Sequence, residues 1–156
     1  LSSSSAASDV YKRQMLRYEI EKQLFNGELS VDDLPTAWNS MFKDWFGIEV
    51  PEDRLGCLQD IHWSMGAFGY FPTYTLGNLY AAQLLEAMTS ELGDVDDLIG
   101  AGDWQPMLDW LRPRIHARGS LVSPAQIIED ATGSPPSPEP FLRYVERKYG
   151  ALYGLD

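Results

Sequence analysis

The chain has 156 residues, a formal net charge of −11, 44% apolar residues and 12% aromatics, enough apolar mass for a buried core and too much for general disorder. That length is one domain's worth, or a piece of a larger helical protein, and the absence of any run of about eighteen apolar residues excludes a transmembrane helix. Between Leu55 and Leu111 there is no Lys or Arg, while Asp60, Glu86, Glu91, Asp94, Asp96, Asp97, Asp103 and Asp109 all fall there, so nucleic acid and anionic membrane surfaces are excluded as partners and the acidity reads as solubility.

Residues 1–14 (LSSSSAASDVYKRQ) do not match the rest of the chain in character. They lack apolar periodicity and have neither the basic region nor the apolar region of a secretory signal. They read as a non-native leader, such as translated adapter or cloning sequence, and residues 15–156 as the protein proper. From Met15 on, Leu16, Ile20, Leu24 and Phe25 recur at helical spacing, with Gly27 as the stop. Ser30 to Pro35 supplies capping chemistry and a first-turn proline for the next helix. There Trp38, Met41, Phe42, Trp45 and Phe46 fall at i, i+3, i+4, i+7 and i+8, one apolar stripe ending at Gly47.

Ile48 to Tyr70, glycine-rich and broken by Pro51, reads as loop and short turns. Its lone Cys57 excludes an internal disulfide framework and suits a reducing, cytoplasmic compartment. With no cysteine-enzyme pattern around it, Cys57 reads as a small buried hydrophobe. A long helix is predicted from Pro72 to Leu92, stopped by Gly93. Asp94 and Asp103 read as caps of two more helices, with Pro113 inside the second and a basic last turn around His116 ending at Gly119. Ser123-Pro124 and Ser137-Pro138 open the last two. No segment alternates as a strand does, and the fold class is all-α.

The stretch richest in chemistry is Gly56-Cys57-Leu58-Gln59-Asp60-Ile61-His62-Trp63, followed by Gly69-Tyr70-Phe71-Pro72-Thr73-Tyr74. An Asp two residues from a His can orient the imidazole and hold it ready as a donor. Tyr70 and Tyr74 would share a face if the turn between them is helical, and phenolic hydroxyls are good donors to an oxyanion. Taken alone, the same residues read more readily as a turn-stabilising Asp–His hydrogen bond and two core tyrosines.

The octet GCLQDIHW resembles the Gly-x-x-Gln-Asp-x-His-Trp signature of the Taq zinc metallocarboxypeptidase family at every fixed position. MLRYEIEKQL, LSVDDLPTAWNSMFKDWFGI, FGYFPTYTLGNLYAAQL and ATGSPPSPEPFLRYVERKYG are similar to the family as well, so that the resemblance runs from Met15 to Gly150. It implies the C-terminal helical portion of a larger saddle-shaped, H-E-x-x-H zincin-like peptidase that is usually homodimeric and removes C-terminal residues from peptides. It further implies one divalent metal, zinc or else Co or Mn, held by two His of an H-E-x-x-H helix and a downstream Glu, with the motif's Glu as general base.

This sequence has no H-E-x-x-H; its histidines are His62 and His116, and a catalytic zinc needs about three protein ligands. The expectation is therefore a fragment without its metal ligands, inactive alone and binding no metal, with the ligands upstream of Met15. By resemblance, Gln59, Asp60 and His62 line the peptide-binding side of the cleft. His62 is expected to donate to the peptide backbone or oxyanion, with Asp60 setting its tautomer; Tyr70 and Tyr74 are similar to tyrosines that related peptidases place over the tetrahedral intermediate. Trp63 is expected to pack behind the loop, and Arg17 to pair with Glu21 at i+4. The alternative function is a free-standing helical module that binds a partner protein through its acidic surface and aromatic stripes.

Overall fold

Glycine and proline punctuate this chain where helices stop and start, and the outcome is seven α-helices with no strand among the described residues. The computed structural model describes residues 3–155, with side chains from residue 10 onward. The chain divides into two compact units, one up to Thr75 and one from Leu76.

In the first unit, α1 spans Ser3–Asn26. The sequence reading starts this helix at Met15, whereas the backbone is already helical through the segment read as a leader. Alanine favours helix intrinsically, and a helix anchored downstream can extend through a stretch with no apolar face of its own. The anchor is Leu16 and Ile20, 1% and 0% exposed; burying side chains of this size stabilises by roughly 1.5–3 kcal/mol each. Gly27 ends the helix at φ 73°, and Glu28 N–H closes the turn onto Gln23 O at 2.9 Å.

Ser30 Oγ accepts from Asp33 N–H at 3.1 Å and donates to its carboxylate at 2.6 Å, which shapes the entry to α2, Leu34–Phe46. The aromatic stripe of α2 faces α1. Trp38 is buried with Leu16, Ile20 and Cys57, and Met41, Phe42, Trp45 and Phe46 pack against that cluster. After Gly47 the chain makes two 3-10 turns, Asp53–Leu55 and Cys57–Gln59. Gly56 joins them at a close approach: a Cβ there would lie 2.7 Å from Val50 Cγ1 and 3.3 Å from the Trp38 ring. Cys57 is 4% exposed, and burial pushes its thiol up, away from the reactive thiolate.

Helix α3, Pro72–Leu92, begins in the first unit and continues in the second. The second unit adds α4 (Val95–Ala101), α5 (Gln105–Arg114), α6 (Pro124–Thr132) and α7 (Glu139–Tyr153). Asp94 caps α4, accepting from Asp96 N–H at 2.9 Å, and Ser123 caps α6 through Gln126 N–H. Asp103 is not the cap of α5, contrary to the sequence reading. Its N–H closes the end of α4 on Leu98 O at 3.0 Å, and Trp104 takes the N-cap position. The basic turn also differs. Pro113 lies inside α5, whose ladder runs on past it to Ile115 N–H on Leu111 O; the helix ends at Arg114, and His116–Arg118 forms a separate 3-10 turn before Gly119.

Met88, Val95, Trp110 and Ala131 form the core of the second unit. Gln83 fastens the turn before α7 to α3. Its Nε2 donates to Thr132 Oγ1, Ser134 O and Pro135 O, each at 3.1 Å, and its Oε1 accepts from Ser137 N–H at 3.1 Å. No described helix is long and apolar enough to cross a membrane.

Candidate functional site

The site is assembled in the first unit, where the loop after the second 3-10 turn folds back over α1. Asp60 lies in extended backbone at the end of that turn, which lets one carboxylate oxygen reach two donors of His62. Oδ1 accepts from His62 N–H at 2.8 Å and meets Nδ1 at 2.5 Å. The other oxygen, Oδ2, lies 2.5 Å from Arg17 Nε of α1. This contact is an ion pair without hydrogen-bond alignment of the Nε–H, between side chains 13% and 8% exposed. The Arg17 guanidinium is stacked as well, 5.4 Å from the Trp38 ring centre and 5.9 Å from that of Phe71.

Burial pushes the Asp60 carboxyl up, but the two His62 hydrogen bonds and the Arg17 charge outweigh it and hold the group below the ordinary carboxylate range. Asp60 is therefore ionised at neutral pH, and an ionised carboxylate can only accept. Nδ1 must then carry the proton, which leaves Nε2 as the outward nitrogen.

Nε2 faces the Tyr74 hydroxyl at 3.3 Å. Tyr74 stands edge-on to Tyr70 at 5.3 Å between ring centres, and Tyr70 is tilted against the imidazole at the same distance. The turn that brings the tyrosines together is held by Thr73, whose N–H and hydroxyl both donate to Tyr70 O. Both tyrosines remain accessible, 46% and 40% exposed, and Phe71, 1% exposed, closes the inner side of the imidazole. Gln59 points elsewhere: its Nε2 donates to Arg54 O at 2.9 Å, and none of its described hydrogen bonds reaches His62 or either tyrosine.

Arg17 does not pair with Glu21, contrary to the sequence reading. Glu21 is buried, 5% exposed, and its two oxygens accept from the Trp63 indole N–H, at 2.8 Å, and from Gly69 N–H. The signal for it in the sequence was a carboxylate beside the apolar positions Ile20 and Leu24, since a carboxylate so placed must find donors across the fold. Trp63 itself packs edge-on to Trp38 and Phe71.

The chain matches the family model of the carboxypeptidase Taq (M32) metallopeptidases over residues 13–149. The chain belongs to that family. It is 51% identical over 140 residues to thermostable carboxypeptidase 1 of Thermus thermophilus, covering 90% of this chain and 28% of that protein. It is 44% identical over 141 residues to carboxypeptidase 1 of Bacillus subtilis, again covering 90% of this chain and 28% of that protein. The crystal structure of the M32 carboxypeptidase of Deinococcus radiodurans matches with a TM-score of 0.84 at 34% identity, over 92% of this chain and 29% of that one. The chain thus spans less than a third of the length of the curated relatives it matches.

Membership of a metallopeptidase family implies a divalent metal. Among the described residues no three His, Cys, Asp or Glu side chains are grouped so as to hold one. His62 has Nδ1 committed to Asp60 and Nε2 turned to a phenol, and His116 sits in the second unit on an exposed 3-10 turn. These residues do not fit a catalytic metal centre. They form a donor-and-acceptor surface with accessible aromatic walls and a polar group whose orientation is fixed from behind.

Proposed function

We propose that residues 15–156 are the C-terminal part of the catalytic domain of a metal-dependent carboxypeptidase, and that they supply the peptide-binding wall of its cleft. The metal, zinc on this reading, is held by residues outside this stretch. The resemblance also carries a homodimeric assembly, and the lone buried cysteine suits a cytoplasmic protein. Residues 1–14 are read as a leader foreign to the enzyme.

The observation that supports the reading best is the fixed imidazole: His62 Nδ1 on Asp60 and Nε2 beside the Tyr74 hydroxyl. With a neutral ring, Nε2 accepts and the tyrosine O–H donates; with an imidazolium, Nε2 donates. Donation from His62 to a peptide carbonyl or oxyanion therefore uses the doubly protonated ring, whose charge the Asp60 carboxylate balances. The 3.3 Å separation is long for an O–H···N bond, so a substrate oxygen can compete for either hydrogen. Tyr70 and Tyr74 flank that position.

Reading the native gene upstream of the Met15 codon tests this function. An open frame encoding H-E-x-x-H is expected; a native stop codon just ahead of Met15 would contradict it.

A further inference from the structure

Two charged residues of α1, Arg17 and Glu21, lie one helical turn apart and reach the same loop at three points. Arg17 meets the Asp60 carboxylate, and Glu21 takes the Trp63 indole N–H and the Gly69 N–H. His62 lies between the first two anchors in sequence, and Tyr70 comes directly after the third. The Glu21 bonds fix both ends of the turn between Trp63 and Gly69, a turn that contains Gly66 and Gly69 in the left-handed region, φ 74° and 73°. Within the turn Gly66 N–H donates to Trp63 O and Ala67 N–H to His62 O, and Phe68 meets Phe25 of α1 edge-on. The carboxylate beneath it ties its two ends to α1.

Neither charge faces outward as a substrate ligand would. Glu21 is 5% exposed, and the Arg17 guanidinium is stacked on Trp38 and Phe71 with its Nη1 on Arg13 O at 3.1 Å. A buried carboxylate and a largely covered guanidinium are costly to retain unless satisfied; Glu21 gives both its hydrogen bonds, and Arg17 its ion pair, to the loop that carries the imidazole.

We propose that Arg17 and Glu21 are positioning residues for the peptide-facing imidazole: Arg17 sets the rotation of Asp60, so that Oδ1 faces Nδ1, and Glu21 closes the turn that sets His62 against Tyr70 and Tyr74. This rests on the reading of His62 as peptide-facing, but its test needs neither peptide nor metal.

The test is nitrogen-15 NMR of the imidazoles in the full chain, where His116 is an internal reference in the second unit. In the unsubstituted chain His62 shows the Nδ1–H tautomer at a pH where the ring is neutral. Arg17→Gln converts His62 to a mixture of tautomers, Arg17→Lys restores most of the Nδ1–H form by returning the charge, and His116 signals stay unchanged throughout. Glu21→Gln retains one acceptor and turns an amide donor toward the second N–H; Trp63 indole exchange accelerates about tenfold or more and the His62 signals broaden or shift. Trp63→Phe removes one arm while leaving Glu21 its bond to Gly69, and produces the smaller His62 change of the two. A His62 that keeps a pure Nδ1–H tautomer and unshifted signals in Arg17→Gln and Glu21→Gln, even with lowered stability, overturns the proposal and reduces both residues to general fold supports. Failure of the peptidase reading shows instead in the gene upstream of Met15 and leaves these spectra unaffected.

Discussion

Arg17 and His62 never touch, yet they grip the two oxygens of one carboxylate, each at 2.5 Å: Arg17 Nε at Asp60 Oδ2 and His62 Nδ1 at Oδ1. The carboxylate is thereby fixed in ionisation and in rotation at once. A surface Asp–His pair has neither constraint.

Removing that carboxylate leaves the Arg17 charge, 13% exposed, without its partner. Asp60→Asn is expected to lower the unfolding free energy at pH 7 by on the order of 2–4 kcal/mol, measured by urea denaturation. The pH dependence has a definite sign. The folded-state pKa of Asp60 lies below its ordinary value of 3.8, so its stabilisation is complete above that pH and is lost as pH falls through the folded-state value. The stability gap between the unsubstituted chain and Asp60→Asn should therefore close as pH falls below 3.8.

Two glycines separate steric from conformational effects. A Cβ at Gly56 meets Val50 Cγ1 at 2.7 Å, whereas at Gly77, within α3, nothing lies within 4 Å. Gly56→Ala is expected to destabilise by about 1–3 kcal/mol through overpacking beside Trp38. Gly77→Ala is expected to stabilise by about 0.5–1 kcal/mol, because a helix interior favours alanine. Thermal unfolding of the two variants, with shifts of opposite sign, checks both.

In the second unit the buried carboxamide of Gln83 makes four hydrogen bonds at 3.1 Å to the segment from Thr132 to Ser137. Gln83→Leu keeps the volume and abandons those partners, at an expected cost of about 2–4 kcal/mol. Hydrogen exchange at Ser137 N–H should accelerate accordingly, while the Trp63 indole N–H in the first unit keeps its protection.

Much of this architecture was legible in the sequence because the cues are local. Gly27, Gly47 and Gly93 sit just past the helix ends and all take positive φ, and Pro72 to Leu92 is the long helix the pattern predicts. The octet from Gly56 to Trp63 pointed to the family, and the family model matches. What could not be read is what depends on distance. Arg17 and Glu21 are ideally spaced for a helical ion pair, but each found part-buried partners in the loop, and these outweigh a surface pair worth a few tenths of a kcal/mol. Asp103 has the residue type of a cap, yet its place is in the close of α4, and the N-cap position of α5 falls one residue later, on Trp104. The helix before Met15 carries no apolar stripe, so no periodicity could announce it.

The most direct test of the account is a chimera in which residues 15–149 of this chain replace the matching segment of the Thermus thermophilus relative. The measurement is kcat for release of C-terminal residues from peptides, on protein verified to be folded and metal-loaded. The account predicts that the chimera turns over and that His62→Ala in it lowers kcat by about 10²–10³, with a smaller loss for Tyr74→Phe. A folded, metal-loaded chimera whose kcat is unchanged by His62→Ala would contradict the assignment of this imidazole to the peptide-binding wall.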